Sequence, residues 1–126
     1  MTLRTPLGRA RGLGSAKEGV GHAWATIVTA VALVPLSLWF VVSLIGLQGA
    51  GHAAFVAWAG STVNASLLIL TVLMVLHHAQ LGIQMVVEDY VHNAAGKYIA
   101  LIGSKLVAAF LAVFMTVSIL KVAVGG

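Results

Sequence analysis

From Ala23 to Leu47 the chain runs for 25 residues without one charged side chain. About 20 apolar residues, rising about 1.5 Å each, cross a hydrocarbon core about 30 Å thick. Two later stretches are similarly apolar, from about Gly60 to Val87 and, with two lysines, from about Tyr98 to Val122. A cleaved signal peptide does not account for the first stretch. Its apolar region would span roughly 7–15 residues, and no small-residue cleavage site closes this run early. The pattern predicts an all-α integral membrane protein with three transmembrane helices, over about 23–47, 60–87 and 98–122 of a single membrane-anchor domain, 1–126. Composition agrees: 60% of residues are hydrophobic and 8% charged, against roughly 25% charged in a soluble domain. Lipid is the solvent such a surface needs.

The polar segment 1–20 reads as irregular or loosely attached to a partner. Pro35 falls inside the first helix, where a kink is tolerable because neighbouring helices can satisfy the freed carbonyl. A glycine-rich break, Gln48-Gly49-Ala50-Gly51-His52, ends that helix. After it, Phe55 and Trp58 suit headgroup depth. Between the second and third helices lies the one acidic loop, Glu88 to Lys97.

The net charge of +4 does not mark a nucleic-acid binder. Four of the seven basic residues, Arg4, Arg9, Arg11 and Lys17, precede the first apolar run. Positive charge marks the cytoplasmic side of a membrane protein, so the amino terminus and second loop (Lys97) should be cytoplasmic. Lys121 at the far end is a mild counter-signal. Cysteine is absent, which excludes disulfides, thiolate metal sites and a thiol nucleophile.

The third helix carries Ala100, Ser104, Ala108, Ala112 and Thr116, each four residues apart. Such a row lets two helices approach closely where lipid offers no hydrophobic drive, although alanine is also simply common here. Lys105 lies on the same helix and reads as snorkelling to the cytoplasmic headgroups.

Chemistry concentrates between Leu76 and Tyr90. His77 and His78 sit well inside an apolar helix, where ionisable groups are costly and mark function by default. Neutral imidazole is a common axial ligand of haem iron. At 3.6 residues per turn, His78 and Gly82 share a face one turn apart, and a glycine there leaves room for a flat macrocycle. Asp89 lies about 20° off that face and about 16 Å further along the axis. His77 points about 100° away, so both histidines cannot serve one cofactor. Spacing alone leaves two readings open: a haem ligand, or a hydrogen-bonded intramembrane histidine pair with a nearby aspartate. Zinc fits poorly, because the other histidines lie at helix ends and no carboxylate shares this depth.

The stretch His78-Ala79-Gln80-Leu81-Gly82-Ile83-Gln84-Met85-Val86-Val87-Glu88-Asp89-Tyr90 reads H-x-x-x-G-x-x-x-x-x-x-D-Y. It resembles the motif of the small cytochrome b membrane anchor of succinate dehydrogenase, the succinate:quinone oxidoreductase also called complex II. The continuation to His92, the three helices and the polar segment before His22 and Trp24 are also similar to that family. The resemblance covers essentially the whole chain, but only the motif is specific. It implies that His78 is one axial ligand of haem b, the other coming from a sister cytochrome b anchor. It implies that Tyr90 hydrogen-bonds a carbonyl oxygen of ubiquinone. Asp89 would organise that site by pairing with an arginine of the sister anchor, with proton relay as a second role. The implied function is to anchor the iron–sulfur and flavoprotein subunits and pass electrons to quinone, in the respiratory chain and tricarboxylic acid cycle. The chain would have no catalytic activity alone, and succinate oxidation would belong to the flavoprotein. The implied location is the bacterial inner membrane, ahead of the mitochondrial one.

One position departs from the family. Relatives often carry an arginine about five residues after the histidine that opens the first helix, where a cation can meet haem propionates. Here Ile27 stands there, so another basic group replaces it or the contact is absent. His77 reads as packing or as a propionate-side hydrogen bond. Two other functions remain open: a small transporter or channel subunit with a His/Asp proton relay, and a haem-free structural anchor.

Overall fold

The computed structural model describes the backbone of residues 6–125 and the side chains of residues 20–125. Arg4 therefore lies outside the described residues, as do the side chains of Arg9, Arg11 and Lys17. Four helices follow one another: α1 Pro6–Leu47, α2 His52–Gly60, α3 Thr62–Tyr90 and α4 Ala94–Gly125. Three of them are long and apolar enough to cross a membrane, α3, α4 and the Val20–Leu47 portion of α1. The described residues contain no strand.

The segment before the first span, expected to be irregular, is helical from Pro6 onward and continuous with α1. Proline is tolerated in a first helical turn, where its missing N–H costs nothing, and extending an existing helix is easier than nucleating one. The helix runs on through Pro35. It ends at the glycine-rich break, where Gly49 (φ 76°) and Gly51 (φ 87°) take left-handed backbone angles that other residues avoid.

The segment expected at the interface is the short helix α2. Its Trp58 stacks on Trp39 of α1, with ring centroids 5.7 Å apart and planes at 19°, and Phe55 lies 5.9 Å from Trp58. Ala59 is sealed. Asn64 of α3 donates its side-chain N–H to the Trp58 carbonyl at 3.0 Å, which ties the α2–α3 junction.

The acidic loop is much shorter than its sequence indicates. Glu88, Asp89 and Tyr90 form the end of α3, and α4 begins at Ala94, leaving only Val91, His92 and Asn93 between them. Asn93 caps α4: its Oδ1 accepts the Gly96 N–H at 3.2 Å, and its carbonyl accepts the Lys97 N–H at 2.8 Å. Such a cap satisfies a donor that the helix itself cannot.

Helix α3 is central, packing against both α1 and α4, while α2 closes the end where α3 starts and α4 finishes. The five small residues of α4 form its inward side. Ala100, Ser104, Ala108, Ala112 and Thr116 are all half-buried, whereas most of their neighbours are exposed. Little else is buried. Among the described residues, Leu36, Ala59, Leu81 and Val87 are the buried apolar ones, and Thr29 and Gln80 the buried polar ones. The large side chains point outward, Phe110, Phe114, Val31 and Ile45 among them. That is the inverse of a water-soluble fold.

Candidate functional site

His78 stands on α3 and is held by α1. Its Nδ1 lies 2.9 Å from the Thr29 hydroxyl oxygen. That hydroxyl is also 2.8 Å from the Ala25 carbonyl and 3.0 Å from the Thr26 carbonyl, in the preceding turn of its own helix. Thr29 is only 3% exposed. The contact joins residues 49 apart in sequence and sets the level at which the two antiparallel helices meet. The other ring nitrogen, Nε2, has no hydrogen-bond partner among the described residues, and the ring is half-buried rather than sealed.

One turn further along α3, Gly82 is exposed, and a Cβ built on it would meet nothing within 4 Å. Packing inside this chain therefore does not require glycine there. No neighbour among the described residues needs Gly82 to be small.

Asp89 and Tyr90 occupy the last turn of α3, about 16–18 Å from His78 along the axis. Both are exposed, Tyr90 by 76%. The fold thus places these two side by side but does not bring them to His78. Glu88 and Asp89 stand where the negative end of the helix dipole disfavours an anion. Helix stability does not explain carboxylates at that point.

His77 faces elsewhere. With Gln80, Lys105, Ala108, Ala109 and Ala112 it lines a cavity of about 380 Å³ between α3 and α4. Gln80 is buried, and its Nε2 has no partner among the described residues. Sequence reasoning read His77 and Lys105 separately; the helix register brings them to one cleft. It missed Thr29 and Gln80 altogether, although a hydroxyl and an amide inside apolar helices carry the signal that polar groups there need partners. On α1, two turns before Thr29 and on its face, His22 has a buried Nε2 that is unpartnered among the described residues. Ile27 is 53% exposed and faces outward.

The model of the family described as "Succinate dehydrogenase/Fumarate reductase transmembrane subunit" matches residues 1–120. A Paracoccus denitrificans protein named succinate dehydrogenase hydrophobic membrane anchor subunit is 33% identical over 97 residues, covering 77% of this chain and 75% of that protein. A protein of the same name from Rickettsia bellii is 32% identical over 89 residues, 71% of each chain. No solved structure matches. The motif around His78, the three membrane-length helices and a family match over nearly the full length agree, and the chain belongs to the family of transmembrane subunits of succinate dehydrogenase and fumarate reductase.

Proposed function

We propose that this chain is the anchor of a succinate:quinone oxidoreductase that supplies one axial ligand to haem b and part of the ubiquinone-reduction site. The observation that carries this reading is the setting of His78. Its imidazole is fixed on one side by Thr29, has Nε2 unpaired among the described residues, and is followed one turn later by open space over Gly82. A single imidazole with a nitrogen unpaired among the described residues, one turn from a position without a side chain, fits the edge of a flat macrocycle. Bound there, haem supplies one-electron redox chemistry inside the membrane. A sister cytochrome b anchor completes the coordination.

Reducing a quinone to a quinol takes two electrons and two protons. The exposed Tyr90 hydroxyl can donate a hydrogen bond to a quinone carbonyl oxygen, and the Asp89 carboxylate beside it can orient that site and relay protons from water. Their position at the end of α3, beyond the apolar span, gives that proton supply. An arginine from the sister anchor would offset the unfavourable placement of Asp89 against the helix dipole. The basic residues before the first span support an amino terminus, and with it Tyr90, on the cytoplasmic side of a bacterial inner membrane. There the chain would dock the iron–sulfur and flavoprotein subunits.

The test is a reduced-minus-oxidised optical spectrum of the purified membrane complex. A b-type band in the wild type that is lost or altered in His78→Ala is expected. An intact, assembled complex without any such band would reduce the chain to a structural anchor.

A further inference from the structure

We propose that Thr29 is the positioning residue for His78, fixing the tautomer in which Nδ1 carries the proton and Nε2 offers its lone pair outward. The inference rests on the haem reading above and assigns the α1 residue that prepares the ligand.

Counting protons decides the tautomer. A threonine hydroxyl has one hydrogen to donate and lone pairs with which to accept. The Ala25 and Thr26 carbonyls, 2.8 Å and 3.0 Å from the Thr29 oxygen, can only accept. If the hydroxyl proton pointed at His78, that oxygen would face two carbonyl oxygens at hydrogen-bond distance with no hydrogen between them. Donated back to its own helix, the proton satisfies those contacts and leaves a lone pair facing His78 at 2.9 Å. Nδ1 must then be the donor, and a neutral ring has its free lone pair on Nε2. Water cannot take over the role, because Thr29 is 3% exposed. The β-branched side chain is stiff at χ1 and is anchored on a helix, so it also limits rotation of the ring.

A metal-bound histidine whose second nitrogen donates a hydrogen bond is a more basic ligand. Loss of the acceptor makes the imidazole a poorer donor to ferric iron, and the midpoint potential should rise. A residue that merely tied α1 to α3 would change melting but not this electronic property.

The experiment is a redox titration of the b-type band, with low-spin electron paramagnetic resonance, on the whole complex carrying Thr29→Val and Thr29→Ser. The isosteric valine should raise the potential and move the low-spin ferric signal, and serine should return both toward wild type. Thr29→Ala, which removes the acceptor without adding bulk, should give the same shift if the valine variant fails to assemble. An assembled valine or alanine variant with unchanged potential and resonance overturns the inference while leaving haem binding intact. A wild-type complex with no b-type band overturns the haem reading itself, and this inference with it.

Discussion

Tyr90 is the residue whose role can be separated most cleanly from everything else. It is 76% exposed at the end of α3, so removing its hydroxyl alters no packing. A single neutral hydrogen bond contributes about 0.5–1.5 kcal/mol. Tyr90→Phe should therefore lower the rate of ubiquinone reduction roughly two- to tenfold, at about 1.4 kcal/mol per factor of ten. Succinate oxidation by an artificial dye should be untouched. Equal loss of both activities would remove Tyr90 from the quinone site. Asp89→Asn keeps the shape but not the charge, and should likewise depress quinone reduction selectively. The histidine motif was legible because a glycine and a carboxylate at fixed spacings from a histidine in an apolar run form a pattern within one helix. Thr29 was not. It lies 49 residues from its partner, and nothing in an evenly apolar helix announces which of its hydroxyls meets the neighbour.

At the scale of elements, apolar runs located the spans but not their ends. Hydropathy falls off at Glu88, yet α3 continues to Tyr90, because extending a formed helix adds a backbone hydrogen bond per residue, the last of them from the Val91 N–H to the Val87 carbonyl. The restart of α4 is set by Asn93, whose cap holds the Gly96 N–H. This short connection bears on the proposed quinone site, since it keeps Asp89 and Tyr90 on a helix rather than in a loop. Asn93→Ala should cost about 0.5–2 kcal/mol of local stability and speed hydrogen exchange at the backbone amides of residues 95–97. Asn93→Asp, which keeps an acceptor and suits the positive end of α4, should restore protection. Unchanged exchange in the alanine variant would mean that packing against α3, not the cap, holds this turn. The small-residue row of α4 was legible as a period of four, and it is the half-buried side of that helix. The cleft that joins His77, Gln80 and Lys105 depends on the register between α3 and α4, which no single-helix pattern encodes.

The whole molecule is defined by what it leaves open. Among the described residues four apolar ones are buried, and at most 11% of the most apolar stretch of each membrane-length span is. Lipid covers such a surface comfortably, but lipid does not explain a buried Gln80 amide, a His78 nitrogen unpaired among the described residues, or carboxylates at the negative end of α3. In the proposed complex a partner chain with donors and acceptors of its own would complete such groups. That requirement fixes which end of the bundle matters, because His78, Asp89 and Tyr90 all lie toward the end where α1 enters and α3 finishes. If the site takes electrons from soluble subunits in the cytoplasm, that end must be cytoplasmic. The chain has no cysteine of its own, so single introduced thiols report topology without background. His92→Cys, in the three-residue connection after α3, should be blocked by a membrane-impermeant maleimide only in inverted vesicles. Ala50→Cys, in the break after α1, should be blocked in intact spheroplasts. The opposite pattern would put Asp89 and Tyr90, the residues proposed for the quinone site, on the wrong face for that electron supply. The docking arrangement would then have to be abandoned, even if His78 still bound haem.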